Sequence, residues 1–156
     1  MKTLVAFYSR TGHTRIVAET IAKSLKADLV ELKEQTGRQG LSGFLTGGYD
    51  ALRGKPSRLI PFNKDVGAYD LVISGSPVWA GTLSPAVRAF LLESKPLIKR
   101  AAFFCTHGGG GASKSYAIAE SILGKPLAAT TAIRDKAARS GNLHPAIDDF
   151  LKRLCP

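Results

Sequence analysis

The sequence predicts an α/β fold: a three-layer αβα sandwich around a five-stranded parallel sheet in the order 2-1-3-4-5. Three observations predict it. Apolar runs of strand length alternate with helical patterns along the chain, which implies parallel βαβ units with right-handed crossovers. The third such run, Leu71-Val72-Ile73, is continuously apolar, as in a strand buried on both faces. Three stretches of unusual composition, 9–14, 76–81 and 106–111, each follow a strand. In such a sheet they converge beyond the strands' carboxyl ends, at the switch point between strands 1 and 3.

Taken in order, Leu4-Val5-Ala6-Phe7 reads as the first buried strand, and Ile16 to Leu25 as a helix. Leu29-Val30-Glu31-Leu32 is the second strand. Residues 34–65 are rich in glycine and charge. Within them Leu41, Phe44, Leu45, Tyr49 and Leu52 share one helical face, although Gly43, Gly47 and Gly48 each weaken a helix by up to ~1 kcal/mol. A short helix that depends on docking is expected. Its apolar face can cover the core, a dimer partner or a cofactor edge, and the core is the expectation.

The third strand spans Tyr69 to Gly75 and gives way to a loop over 76–83. Ser84-Pro85 opens the next helix, with serine as cap and proline at the first helical position. Val87, Phe90 and Leu91 form its buried stripe, and Lys95-Pro96 stops it. Ala101 to Thr106 is the fourth strand, followed by a helix from about Ser113 to Leu123 that Gly124 and Pro126 terminate. Leu127 to Ile133 is the fifth strand, and 134–142 reads as a polar loop. The last helix begins near Pro145 and presents Ile147, Phe150, Leu151 and Leu154 inward.

The 156 residues fit one domain, and 44% hydrophobic content is enough for a real core. No signal-peptide pattern and no apolar stretch of ~20 residues is present, so a membrane anchor is not expected. Cys105 lies in an apolar strand and Cys155 near the end, in no ligand spacing. A reducing cytoplasm suits this pattern. The net charge of +10 is spread without a dense basic run, which favours a solvated basic surface over a nucleic-acid site.

The first loop, Ser9-Arg10-Thr11-Gly12-His13-Thr14, joins a strand to a helix start. The first N–H groups of a helix lack internal partners and carry partial positive charge, so an anion can sit there. Gly12 permits a sharp turn, and Ser9, Thr11 and Thr14 add hydroxyl donors. Arg15 in the first turn opposes the helix dipole; a bound dianion would remove that conflict, or the side chain points into water. The second loop holds Trp79, the only tryptophan, able to stack on a flat ring for roughly 0.5–1.5 kcal/mol beyond area burial. The third offers bare backbone at Gly108, Gly109, Gly110 and Gly111. A phosphate, a flat ring and backbone donors together describe FMN.

The sequence resembles the flavodoxin family over nearly its whole length. Ser9 to Thr14 is similar to the family's phosphate loop, S/T-x-T-G-x-T. Gly75-Ser76-Pro77-Val78-Trp79-Ala80-Gly81 is similar to the G-x-P-V/I-W-A-G loop of a bacterial subgroup, and Phe104-Cys105-Thr106-His107-Gly108-Gly109 to its third, flavin-edge loop. The resemblance implies a flavodoxin-like fold, noncovalent FMN and a redox role. It carries over Ser9–Thr14, Ser76–Gly81 and Thr106–Gly110 as cofactor-binding residues, with His107 near the flavin's pyrimidine edge. Two departures stand out. Position 13 is His where Asn is frequent, and the chain is basic where well-known flavodoxins are acidic.

Gly108 to Ser115 nearly matches a nucleotide P-loop, but Ser113 replaces the second required glycine and no apolar run ends in a metal-binding Asp. The first loop has no cysteine nucleophile, and no metal-ligand spacing appears. The expectation is an FMN-binding electron-transfer protein with no catalytic side chain, or else a small FMN-dependent NAD(P)H:quinone oxidoreductase. Its partners would be redox proteins with acidic docking surfaces; the chain would be a monomer or a homodimer.

Overall fold

A computed structural model describes residues 1–36 and 40–154, with the Phe44 side chain left out; Cys155 lies outside the described residues. The strands are β1 (Thr3–Phe7), β2 (Asp28–Glu31), β3 (Leu71–Trp79), β4 (Thr82–Leu83), β5 (Ala101–His107) and β6 (Thr130–Arg134). The α-helices are α1 (His13–Leu25), α2 (Gly40–Leu52), α3 (Pro85–Ser94), α4 (Ala112–Leu123), α5 (Asp135–Ser140) and α6 (His144–Leu154). The sheet runs β2-β1-β3-β5-β6 with every neighbouring pair parallel. This is the expected 2-1-3-4-5 order with one short antiparallel strand, β4, added against the tip of β3.

Alternation along β1 divides the core in two. Leu4 and Ala6 face a layer built from α3 and α4, with Val87, Phe90, Leu91 and Leu123. Val5 and Phe7 face Val17 and Ile21 of α1 and Ile147, Phe150 and Leu154 of α6. All five β1 residues are buried, because helices cover both faces of a parallel sheet. Large side chains such as Phe90, Phe103 and Phe150 are fully buried, each contributing roughly 1.5–3 kcal/mol. Cys105 belongs to this core, and burial pushes its thiol up to about 12.

Helix starts follow their sequence signals. The Ser84 hydroxyl accepts the Val87 N–H, with Pro85 as the first helical residue. Among the described residues no helix is long and apolar enough to cross a membrane.

Three expectations are corrected. Residues 76–83 are not a loop. β3 continues to Trp79, turns through Ala80 (φ 48°) and Gly81 (φ 76°), and returns as β4. Two successive positive φ angles make this the turn whose twist matches a two-residue hairpin. Residues 134–142 are not all loop, since α5 occupies Asp135–Ser140. Asp135 in its first turn and Arg139 in its last complement the dipole, and Ala138 packs inward. The apolar face of α2 does not cover the core. Leu41, Leu45, Tyr49 and Leu52 are 57–75% exposed, and Ala51 and the glycine side make the contacts instead. At Gly47 the helix approaches Trp79 through bare backbone.

Candidate functional site

The end of β1 and the start of α1 build the centre of the site. The Ser9 hydroxyl accepts the Gly12 N–H at 3.1 Å, which closes the turn. Gly12 caps α1 with φ 97° and ψ −14°, a left-handed conformation that a residue with a Cβ adopts only at a cost of about 1–2 kcal/mol. Among the described residues no side chain caps this helix start, so its first-turn N–H groups remain available to an anion. Thr14 is 2% exposed, and its hydroxyl lies 2.7 Å from that of Thr106 at the end of β5. This contact ties the first loop to the third.

A cavity of about 260 Å³ opens at this point. Arg10, Thr11, His13 and Thr14 line it from the first loop. Pro77, Val78 and Trp79 line it from β3, and Thr106 and Gly108 from the end of β5. A second cleft of about 350 Å³ lies against the hairpin, walled by Leu45, Gly48, Tyr49 and Leu52 of α2 and by Val78, Trp79 and Ala80. Val78 and Trp79 belong to both. The first space is the more polar of the two and the second is mainly apolar. The second alone falls within the ~300–1,000 Å³ range of ligand sites, and the first extends it towards the start of α1.

Trp79 is held on two sides. Its ring meets the Tyr8 ring edge-on, with centroids 5.4 Å apart and planes at 88°. The Tyr8 hydroxyl donates to Glu34 Oε2 at 3.2 Å. On the other side a Cβ at Gly47 would lie 2.6 Å from Trp79 Cζ3, so only glycine lets α2 approach this closely. The indole is therefore a fixed wall.

The other expected site residues serve differently. Ser76 is fully buried. Its Oγ accepts the Ser84 N–H at 2.9 Å and lies 2.8 Å from the Pro77 carbonyl, so it braces the hairpin and does not line either cavity. Ala80 and Gly81 form the turn. His107 ends β5 beside Arg134, and its Nδ1 is buried with no partner among the described residues. Gly109 and Gly110 follow without lining the cavity. Arg15 neither reaches the cavity nor points into water alone: it pairs with Glu31 at 2.5 Å, which raises its pKa.

Sequence reasoning missed Asp135 and the α2 wall. Asp135 Oδ1 lies 3.5 Å from His13 Nδ1, inside the polar cavity. Its place within a stretch read as loop hid it. The α2 stripe was visible at helical spacing, but spacing does not tell a core face from a cleft wall.

The model of the NADPH-dependent FMN reductase family matches residues 3–134. The chain belongs to this family. Among solved structures, a Lactobacillus acidophilus flavoprotein in complex with FMN is 24% identical, with a TM-score of 0.71 over 90% of this chain and 97% of that one. The apo form of the L. acidophilus flavoprotein is 25% identical, with a TM-score of 0.65 over 89% and 95%. Oxidised flavodoxin 1 from Bacillus cereus is 14% identical, with a TM-score of 0.59 over 99% and 97%. These likenesses show the flavodoxin-like fold.

The residues present fit the flavin such a family uses. An uncapped helix start, an unpartnered buried Nδ1 on His107 and a fixed indole beside an apolar cleft are each left open by the protein's own contacts.

Proposed function

We propose that the protein binds FMN across the two cavities and passes electrons through it, with a reduced nicotinamide nucleotide as donor. The observation that carries this reading is the pairing of an open, glycine-capped helix start with a pinned indole across one wall. The first-turn N–H groups of α1, with the Thr11 and Thr14 hydroxyls, would hold the phosphate. Trp79 and Val78 would lie against the ring and shield it from water. The backbone of Gly108, Gly109 and Gly110, with Thr106 and His107, would supply donors to the ring's polar edge. The bound flavin supplies the redox chemistry; the chain supplies position, access and electrostatics. The family's description supports a nicotinamide donor.

A second reading has its own observation. The apolar α2 face beside the cleft is exposed, and the chain carries +10, which suits a carrier that docks on an acidic redox protein. Anaerobic mixing of the FMN-loaded protein with NADPH separates the two. Rapid loss of the visible flavin absorbance is expected. No bleaching by NADPH or NADH, with bleaching by a separate reductase, would overturn the donor assignment in favour of the carrier.

A further inference from the structure

The polar cavity contains an electrostatic contradiction. Asp135 places a carboxylate in the same space that the start of α1 makes attractive to an anion. Its partner is His13, whose Nδ1 lies 3.5 Å from Asp135 Oδ1 and 3.3 Å from Thr11 Oγ1. Both side chains are partly shielded, at 21% and 33% exposure. Arg10 lines the same cavity, but one guanidinium does not offset a carboxylate and a phosphate dianion together, and a neutral imidazole adds no charge to it. An imidazolium does, and both its ring nitrogens then donate.

We propose that Asp135 is a positioning residue that holds the His13 ring at the cavity, and that binding a phosphomonoester there draws a solvent proton onto His13. This rests on the reading of the cavity as the phosphate site. The sign follows from the charges. Adding negative charge beside His13 favours its protonated form. Binding therefore takes up protons over a window of pH, and affinity falls as pH rises through that window.

The other charged groups around His13 are few. Lys136 and Arg139 share α5 with Asp135, and both are exposed. Arg10 lines the same cavity, Arg15 pairs with Glu31, and Arg134 immediately precedes Asp135. Thr11 is uncharged, and His107 ends β5. Of these His107 is the only other imidazole, so substitution of His13 is the control. The ester's own second ionisation, near ~6, stays outside the window if the work begins at pH 7.

Calorimetric titration with FMN at pH 7.5, in two buffers of different ionisation enthalpy, counts the protons. Uptake of roughly half a proton per FMN is expected, with Kd rising about fivefold between pH 7 and pH 8.5. Riboflavin, which lacks the ester, should take up none. His13→Gln and His13→Asn should abolish the uptake. Asp135→Asn should reduce it and tighten FMN binding at pH 8.5 relative to wild type. Zero uptake by the wild type, or uptake unchanged in both His13 variants, would overturn the proposal and leave the FMN site standing. Absence of FMN binding to the folded wild type would overturn the site and this inference with it.

Discussion

Replacing Gly111 by alanine tests how the third loop is locked to the hairpin. Gly111 caps α4 with φ 89° and ψ 0°, where an L side chain costs about 1–2 kcal/mol. The new Cβ would lie 2.6 Å from Val78 Cγ1 and 2.9 Å from the Gly81 backbone. The backbone contact cannot be relieved by a rotamer change, and overpacking of this kind costs about 1–3 kcal/mol. The two effects together predict a loss of roughly 2–5 kcal/mol. At ~2–4 °C per kcal/mol for a chain of this size, the melting temperature should fall by at least about 4 °C. Gly109→Ala is the matched control, since a Cβ there meets nothing within 4 Å and φ is not positive. Urea unfolding followed by circular dichroism reads both variants. The reasoning fails if Gly111→Ala is as stable as wild type, or if Gly109→Ala is equally damaging.

Other outcomes follow from the same geometry. Gly47→Ala should push the Trp79 ring off its seat, shifting the emission of the only tryptophan and weakening FMN binding about tenfold, the loss of a contact worth ~1.4 kcal/mol. Ser76→Ala should cost about 1–3 kcal/mol in urea unfolding, because the buried Ser84 N–H loses its acceptor. Tyr69 donates to Asp28 at 2.7 Å, and desolvation with that bond raises its phenol to about 12. A raised phenol stabilises the fold below its ordinary value near ~10, and that contribution is lost as pH climbs towards 12. Stability should therefore decline above pH ~10, and Tyr69→Phe should flatten the decline.

The sheet was legible because burial on two faces writes unbroken apolar runs, as in Leu4–Phe7 and Leu71–Ile73. The geometry of the first loop was legible in Gly12, whose positive φ the turn requires. The hairpin was not. Pro77 and Gly81 read as loop punctuation, yet Pro77 sits in the upper part of β3 and Ala80 carries a positive φ without being glycine. Helix α5 was hidden for a related reason: its six residues bury only Ala138, too few for a period to show. Asp135 went unseen with it. The α2 face exposes the limit of periodicity most clearly, since Leu45, Tyr49 and Leu52 repeat as a core stripe would and yet line an open cleft.

The central claim is that a phosphate sits at the start of α1 while a flat ring lies beside Trp79. Titrating the folded protein with FMN and with riboflavin, each followed by Trp79 emission, tests it most directly. The account predicts saturable one-to-one quenching by FMN and binding of riboflavin at least about tenfold weaker, the effect of losing charge-assisted bonds to the ester. Equal affinity for the two flavins, or saturation with FMN that leaves the tryptophan emission unchanged, would contradict it.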